Sequence, residues 1–152
     1  MQKKISLTFL IAFSFLFTSH LFAQHQKPDA ITGIWFNEEM TSKLQLYKEG
    51  SKYFAKIVWL KEPVDKSTGK PRTDNLNPDA KLKNKPLINL VVLKNFTFDG
   101  DDQWEDGTIY DPKNGKTYSC YIQMESPNKL KIRGYIGVSL LGRTTYWTRT
   151  VL

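Results

Sequence analysis

The sequence predicts an all-β domain, a single antiparallel up-and-down barrel of about eight strands with one or two short helical turns. Three observations lead to this fold class. Apolar and polar residues alternate along most of the chain, and turn-forming residues recur at short intervals. The third is a pair of motifs, Gly33 and Trp35 near one end and Trp147 and Arg149 near the other. We expect these four residues to close the barrel, with Arg149 lying on Trp35 where the last strand meets the first.

The first residues have the features of a signal peptide. Lys3 and Lys4 precede an apolar stretch, residues 5–17, which has the length of a signal-peptide core and is short for a membrane span. Cleavage is predicted after Ala23, and the alternative is an uncleaved anchor helix. We therefore expect an exported protein, periplasmic or extracellular. Its predicted parts are a signal peptide at residues 1–23, a flexible tail at 24–30 and the barrel domain at 31–152.

The chain is basic, with a formal net charge of +7 that falls to +5 once Lys3 and Lys4 leave with the signal peptide. The basic residues are spread along the chain, whereas a nucleic-acid-binding surface clusters them. The charge therefore predicts solubility and mild attraction to anionic surfaces, and no nucleic-acid partner. No second apolar run reaches membrane length, so no membrane span is expected in the mature chain. The sequence makes no prediction of oligomeric state.

The predicted strands follow the alternation of apolar residues from turn to turn. Leu44 and Leu46 share one face, and Gly50 then separates them from a longer strand, as in a hairpin. Leu130 and Ile132 point to one side of a later strand, which is typical of a half-buried strand. After the first strand, the predicted strands are residues 43–46, 52–60, 88–98, 103–105, 108–110, 116–124, 129–136 and 144–151.

One segment, residues 63–86, breaks the strand pattern because it is too long and polar for a hairpin loop. Within it Asn77 is a predicted N-cap and Pro78 suits the first helical position, so a helical turn is expected over 77–82. A second helical turn is expected over 138–141. Long connections in compact domains are either functional or disordered, which makes this segment a candidate for function.

Spaced motifs run through nearly all of the mature chain. They are Gly33-x-Trp35, Asp74-x-x-Asn77-Pro78, Leu82-x-x-x-Pro86-Leu87, Gly107-x-x-Tyr110-Asp111-Pro112-x-x-Gly115-x-x-Tyr118 and Arg133-Gly134-Tyr135-x-Gly137-x-x-x-x-Gly142-Arg143-x-x-x-Trp147-x-Arg149. This pattern resembles the secreted bacterial "domain of unknown function 2147" family, which is akin to the lipocalin-like barrels. The resemblance implies export and a lipocalin-like barrel, and it implies no reaction. Asn89 departs from the family pattern, in which Gly is expected.

The sequence offers few groups for catalysis. A Ser-His or Cys-His nucleophile needs a histidine, and only His25 remains in the mature chain. A zinc site needs several His or Cys ligands, and the single cysteine, Cys120, alternates with apolar residues and is predicted to be a buried structural thiol. We therefore predict no catalytic residue, no metal and no cofactor. A carboxylate pair such as Asp74 with Asp111 stays open as a route to acid–base chemistry.

The candidate ligand site combines aromatic residues with the long polar segment. A barrel of about eight strands either fills with side chains or holds one small ligand, and both outcomes stay open. A pocket is expected at the rim formed by residues 63–86 and 134–143. The candidate ligand-binding residues are Trp59, Asp74, Asn77, Tyr110, Tyr118 and Arg143.

The predicted function is non-catalytic binding of a small apolar or amphipathic molecule. The alternative is a structural or protein-interaction module of the cell envelope. The third is a hydrolase-like enzyme that uses carboxylates.

Overall fold

The computed structural model describes residues 27–152, so the predicted signal peptide lies outside the described residues. These residues form a closed antiparallel barrel in which each strand pairs with its sequence neighbours and the first pairs with the last. The predicted fold class is confirmed. The strands are β1(Gly33–Phe36), β2(Ser42–Glu49), β3(Lys52–Leu60), β4(Val91–Phe98), β5(Gln103–Asp111), β6(Lys116–Ser126), β7(Lys129–Tyr135) and β8(Gly142–Thr150). No helix within 27–152 is long and apolar enough to cross a membrane.

The alternation of side chains along the strands produces the core. On β6, Cys120, Ile122 and Met124 are buried while the residues between them are not. Successive side chains of a strand point to opposite faces, so every second residue enters the barrel. On β7, Leu130 and Ile132 are fully buried in the same way. The inward faces of these strands are those expected from the sequence.

Strand β5 is continuous, although the sequence predicted two short pieces there. A β-bulge lies between Trp104 and Gly107, where the register with β6 shifts. Asp106 in the bulge has a φ of 59°. A Cβ on Gly107 would overlap the ring of Phe96, so glycine permits β4 and β5 to approach each other here. The bulge therefore explains why the apolar alternation of the sequence breaks within one strand.

A 3-10 helix, Pro28–Ile31, precedes β1. The sequence placed residues up to 30 in a flexible tail, but residues 28–30 belong to this helix. Pro28 suits the first helical position because its fixed φ is compatible with a helix. Ile31 is fully buried, so the helix is held by packing against the core as well as by its own hydrogen bonds.

The two helical turns expected from the sequence are single turns and form no helix. One is closed by a hydrogen bond from the Leu82 amide to the Asp79 carbonyl, 2.9 Å long. The other is closed by the Leu141 amide and the Val138 carbonyl at 3.0 Å. A first turn fixes several dihedral angles for one hydrogen bond, so without further apolar periodicity it does not extend.

The two ends of the barrel differ in their connections. At the end that we call the closed end, the 3-10 helix covers the interior. The Trp35 indole nitrogen donates to the Ile31 carbonyl at 2.9 Å, and the Trp104 indole nitrogen donates to the Pro28 carbonyl at 3.1 Å. The Tyr53 hydroxyl donates to the Asp29 carboxylate at 2.6 Å. Three buried aromatic side chains therefore fix the helix over this end.

Arg149 joins the first and last strands at the closed end. Its guanidinium carbon lies 4.1 Å from the centroid of the Trp35 ring, the contact that the sequence led us to expect. The guanidinium also donates to the carbonyls of Ala30 at 2.7 Å, Thr32 at 2.9 Å and Pro127 at 2.6 Å. A Cβ on Gly33 would lie 2.7 Å from an Arg149 nitrogen, so the glycine of the Gly-x-Trp motif leaves room for this side chain.

The open end carries the other connections, including the long segment between β3 and β4, residues 61–90. Two isolated bridges order this segment, one between Val64 and Pro71 and one between Thr73 and Pro86. Asn89 has a φ of 68° and its amide donates to the Ile57 carbonyl at 2.8 Å. The turn at this position therefore forms with Asn in place of the expected Gly, because Asn tolerates the left-handed region better than most residues.

Candidate ligand cavity

A cavity of about 420 Å³ lies inside the barrel beneath the loops of the open end. The largest fully buried rings, Trp35, Trp104 and Phe96, occupy the half towards the closed end. Inward positions nearer the open end carry smaller groups, including Thr145 and Gly134. An eight-stranded barrel is wide enough to hold one small ligand where side chains do not fill it. The uneven distribution of side-chain size along the barrel axis therefore creates the cavity.

The inner walls of the cavity are apolar. They consist of inward-facing residues from strands around the barrel: Leu44, Ile57, Val92, Ile109, Ile132 and Trp147. Trp147 is 4% exposed and shares the inward face of β8 with Arg149, which lies deeper in the barrel. Most ligand pockets combine such apolar walls with a few polar groups that fix orientation. In this barrel the polar groups lie at the rim.

Charged side chains from two loops and from the start of β8 meet at the rim. The Glu39 carboxylate, between β1 and β2, lies 3.7 Å from an Arg143 nitrogen and 3.9 Å from the Lys113 amine. Both cations are well exposed, with relative side-chain exposures of 82% and 73%. Exposed ion pairs at these distances contribute little to stability. The rim therefore carries two cations that can turn towards an incoming anionic group at small cost.

Tyr110 connects the cavity wall to the long connection behind it. Its hydroxyl donates to the Asp74 carboxylate at 2.7 Å, and the Asn77 amide donates to the other oxygen of the same carboxylate at 2.6 Å. Asp74 is 1% exposed and Asn77 is 7% exposed. Asn77 also accepts a hydrogen bond from the Asp79 amide at 2.9 Å, as its predicted capping role requires. This network holds residues 61–90 against the barrel.

The network also determines the chemistry of Tyr110. Burial, followed by the hydrogen bond to Asp74, raises the pKa of Tyr110 to about 12. The phenol therefore stays protonated at neutral pH and acts as a hydrogen-bond donor. Asp111 accepts hydrogen bonds from the Lys113 amide and the Asn114 side chain of its own turn. Asp74 and Asp111, the carboxylate pair considered from the sequence, thus both have structural partners.

The structure separates the six candidate residues into three groups. Tyr110, Tyr118 and Arg143 line the cavity. Tyr118 accepts a hydrogen bond from the Asn114 side chain at 3.0 Å, close to the rim. Asp74 and Asn77 lie behind Tyr110 and hold it in place. Of the predicted rim, residues 134–143 contribute part of the wall of this cavity, and none of residues 63–86 lines it.

Trp59, the sixth candidate, lies on the outside of the barrel. Lys43 pairs with Trp59 but Leu44 pairs with Ile57, so a bulge inserts one extra residue in β3. This insertion reverses the alternation, and Trp59 points outwards although Ile57 points inwards. The centroids of the Trp59 and Phe36 rings are 5.9 Å apart in an edge-on arrangement, and Trp59 is 37% exposed. Trp59, a candidate ligand-binding residue from the sequence, therefore does not line this cavity.

The sequence reasoning missed the contribution of the β1–β2 loop. Asn37 orders this loop by accepting hydrogen bonds from the amides of Thr41 at 2.8 Å and Ser42 at 2.9 Å. Glu39 then reaches the cavity rim. A topological signal was present, since every loop that follows an odd-numbered strand of an up-and-down barrel lies at the same end. That rule brings residues 37–41 to the same rim as 112–115 and 136–141.

Among residues 27–152, no group of three or more His, Cys, Asp or Glu side chains could hold a metal ion. Cys120 is 1% exposed, and burial raises the pKa of its thiol. A buried thiol with a raised pKa is a poor nucleophile and a poor metal ligand at neutral pH. The prediction of a buried structural cysteine is confirmed.

A barrel that is plugged at one end and open over an apolar cavity at the other is a lipocalin-like barrel. A solved structure supports this class: the Helicobacter pylori protein HP1028, described as belonging to the lipocalin family, matches with a TM-score of 0.67. The two sequences are 24% identical, and the match covers 78% of this chain and 82% of that chain. At this identity the likeness shows the fold alone.

The chain belongs to the family of uncharacterised proteins conserved in bacteria, DUF2147, whose model matches residues 33–149. The resemblance stated from the sequence motifs is therefore confirmed. No curated protein matches the chain.

Proposed function

We propose that this protein binds one small apolar or amphipathic molecule in the barrel cavity and does not transform it. The observation that carries the proposal is an apolar-walled cavity of about 420 Å³ with polar groups at one rim. This volume lies within the range of about 300–1,000 Å³ that is typical of ligand pockets. Apolar walls favour an apolar body because burial removes it from water.

The rim suggests how an amphipathic ligand would be oriented. Its apolar part would lie along Ile132 and Trp147, and its polar end would meet Arg143 and Lys113. Glu39 already pairs with both cations, so an acidic head group would replace one carboxylate with another. Tyr110 would add its ring to the wall, since its single hydroxyl hydrogen is already donated to Asp74.

Export is part of the same proposal. Residues 1–23 have the charge, apolar stretch and cleavage site of a signal peptide, so the barrel would work in the periplasm or outside the cell. Apolar molecules are poorly soluble in these compartments, and a protein cavity would keep them in solution.

The direct test is tryptophan fluorescence during titration with a series of saturated fatty acids of increasing chain length. Trp147 lines the cavity whereas Trp59 lies outside it. The fluorescence of Trp147 should therefore respond to a ligand in the cavity, and that of Trp59 should not. A saturable change should disappear in Trp147→Phe and persist in Trp59→Phe. Mass spectrometry of the natively purified protein would reveal a co-purifying molecule.

A matched pair of variants tests whether the cavity is the site. Thr145→Phe places a ring in the cavity, and Thr148→Phe places the same ring on the outer face of β8. Binding should be lost in the first variant and kept in the second. If no fatty acid binds and no molecule co-purifies, or if Thr145→Phe binds as well as the wild type, the proposal fails and the interaction-module alternative is favoured.

A further inference from the structure

The loop between β7 and β8, residues 136–141, exposes an unusual amount of apolar surface. Its four large apolar residues have relative exposures of 67%, 57%, 87% and 70%: Ile136, Val138, Leu140 and Leu141. Single exposed apolar residues are common, but a contiguous group marks an interaction surface. We call residues 136–141 the apolar loop.

Internal hydrogen bonds hold the apolar loop in shape. The Arg133 guanidinium donates to the Ser139 carbonyl at 2.6 and 2.9 Å, to the Leu140 carbonyl at 3.2 Å and to Thr144 at 2.9 Å. The Ile136 amide donates to the Leu141 carbonyl at 3.1 Å. Several backbone carbonyls of the loop are therefore satisfied by Arg133 of β7 or by the loop's own amides, which lowers the cost of moving the loop into an apolar phase.

The charges of the protein are unevenly divided between the two ends of the barrel. The inter-strand segments at the open end, residues 37–41, 61–90, 112–115 and 136–141, contain eight Lys or Arg and six Asp or Glu. At the closed end, residues 27–32, 50–51, 99–102 and 127–128 contain one Lys and four Asp. Arg143, the second residue of β8, adds a further exposed cation next to the apolar loop. The apolar loop thus lies at the basic end.

We propose that the open end docks on an anionic lipid bilayer, with Val138 and Leu140 inserted between the lipids and the surrounding basic residues near the head groups. Apolar residues inserted at the interface and cations attracted to anionic lipids act together in such binding. The mouth of the cavity would then face the bilayer. The apolar loop contributes Ile136 and Leu141 to the cavity lining, but the two residues proposed to insert, Val138 and Leu140, do not line the cavity.

The size and shape of the surface favour a bilayer over a protein partner. A stable protein–protein interface uses roughly 20–30 residues on each side. The apolar loop has six residues and forms a narrow hairpin tip. A bilayer interface needs no complementary protein surface, and a protruding tip with neighbouring cations suits insertion.

The chain offers a closely matched control for the apolar loop. Val151 and Leu152, at the end of the chain, have exposures of 77% and 76%. They follow β8, whose nine residues place them at the other end of the barrel, roughly 30 Å of strand away. The double variants Val138→Ser with Leu140→Ser and Val151→Ser with Leu152→Ser thus remove the same two side chains from opposite ends.

The experiment is co-sedimentation of the protein that begins at Gln24 with vesicles of phosphatidylcholine alone or of phosphatidylcholine with phosphatidylglycerol. We expect binding to the anionic vesicles that weakens with added salt. The affinity of the apolar-loop variant for the anionic vesicles should be lower by roughly tenfold or more, because two apolar side chains no longer enter the interface. The control variant should bind like the wild type. Fatty-acid titration should be unchanged in both variants, which separates this proposal from that of the cavity.

Three outcomes would overturn the proposal: no binding of the wild type to anionic vesicles, equal losses in the two double variants, or salt-insensitive binding to both kinds of vesicle. Concentration-dependent dimerisation that is lost with Val138→Ser and Leu140→Ser, without vesicle binding, would assign the apolar loop to a second copy of the chain instead.

Discussion

Arg149 covers the ring of Trp35 and so joins the last strand of the barrel to the first, with 4.1 Å between the guanidinium carbon and the ring centroid. Its three hydrogen-bonded carbonyls belong to the 3-10 helix, the residue that follows it and the β6–β7 turn. We expect Arg149→Ala to lower the free energy of unfolding by about 3 kcal/mol, since it removes a cation–π contact and charged hydrogen bonds. Arg149→Lys should recover only part of this, because an ammonium lacks the planar fork. Urea denaturation measures both changes.

A double-mutant cycle with Trp35→Leu isolates the contact itself. We expect a coupling energy of about 1–2 kcal/mol between the two sites. Full additivity of the two single changes would mean that the ring and the guanidinium do not interact.

Loss of the Tyr110 hydroxyl should loosen the long connection. Tyr110→Phe leaves the buried Asp74 carboxylate without one of its two donors, which costs about 1–3 kcal/mol. Limited proteolysis should then cut within residues 61–90 faster than in the wild type. Tyr118→Phe is the control because its hydroxyl meets an exposed side chain, and its cleavage rate should stay unchanged.

The ionisation of Tyr110 gives a stability effect at high pH. The folded protein raises the pKa of Tyr110 to about 12, above its ordinary value of 10.0, so the folded state holds the phenol proton more tightly. The stability that Tyr110 contributes in this way is fully present below pH 10 and is lost as the pH rises towards 12. Ultraviolet titration measures the ionisation of the tyrosines. The wild type and Tyr110→Phe should differ by one tyrosine, with a pKa of about 12. If the tyrosine that is lost in Tyr110→Phe ionises with the ordinary pKa of 10.0, the buried hydrogen bond is contradicted.

The bulge in β5 should require glycine at position 107. Gly107→Ala places a Cβ into the ring of Phe96 and should cost about 1–3 kcal/mol, as overpacking does. Gly134→Ala is the comparison, because its Cβ would approach Ile109 only to 3.2 Å and should cost less than about 1 kcal/mol. Thermal denaturation of the two variants would show whether the close approach of β4 and β5 is as tight as described.

Cys120 should resist alkylation in the native protein. The thiol is buried and its pKa is raised by burial, so iodoacetamide should label it only through opening of the barrel. Thr148→Cys supplies an exposed thiol on the outer face of β8 and should be labelled rapidly. Equal labelling of both thiols under native conditions would be incompatible with the buried position.

The N-terminal prediction concerns residues outside the described range. We expect the protein from the native envelope to begin at Gln24, because Lys3, Lys4 and the apolar residues 5–17 have the order of a signal peptide. N-terminal sequencing decides this. Recovery of Met1 on a membrane-bound protein would favour the anchor helix instead.

Much of the barrel could be predicted because strand alternation is written directly in the sequence. Leu130 and Ile132, or Cys120 and Ile122, repeat with the period of two that places side chains inside. The contact of Arg149 with Trp35 followed from two motifs at the ends of the domain. These features depend on local periodicity and on one pairing, so the sequence carries them.

The cavity was harder to predict because a single inserted residue changes its wall. The bulge before Trp59 reverses the facing of that side chain, and no pattern in the sequence marks the insertion. The volume of the cavity depends on where large rings stop and small side chains such as Thr145 begin along the barrel axis. That depends on strand register, which the alternation alone does not determine.

The pairing of β1 with β8 also bears on when the barrel can form. Trp35 and Arg149 are strand partners although they lie 114 positions apart. The barrel therefore cannot close until almost the whole chain is present. Pairing of such distant segments is slow because loop closure costs entropy before any contact compensates for it. Under the proposed export this order would have a use: the partly synthesised chain has no complete fold to undo, and it could cross a membrane unfolded before its last strand closes the barrel.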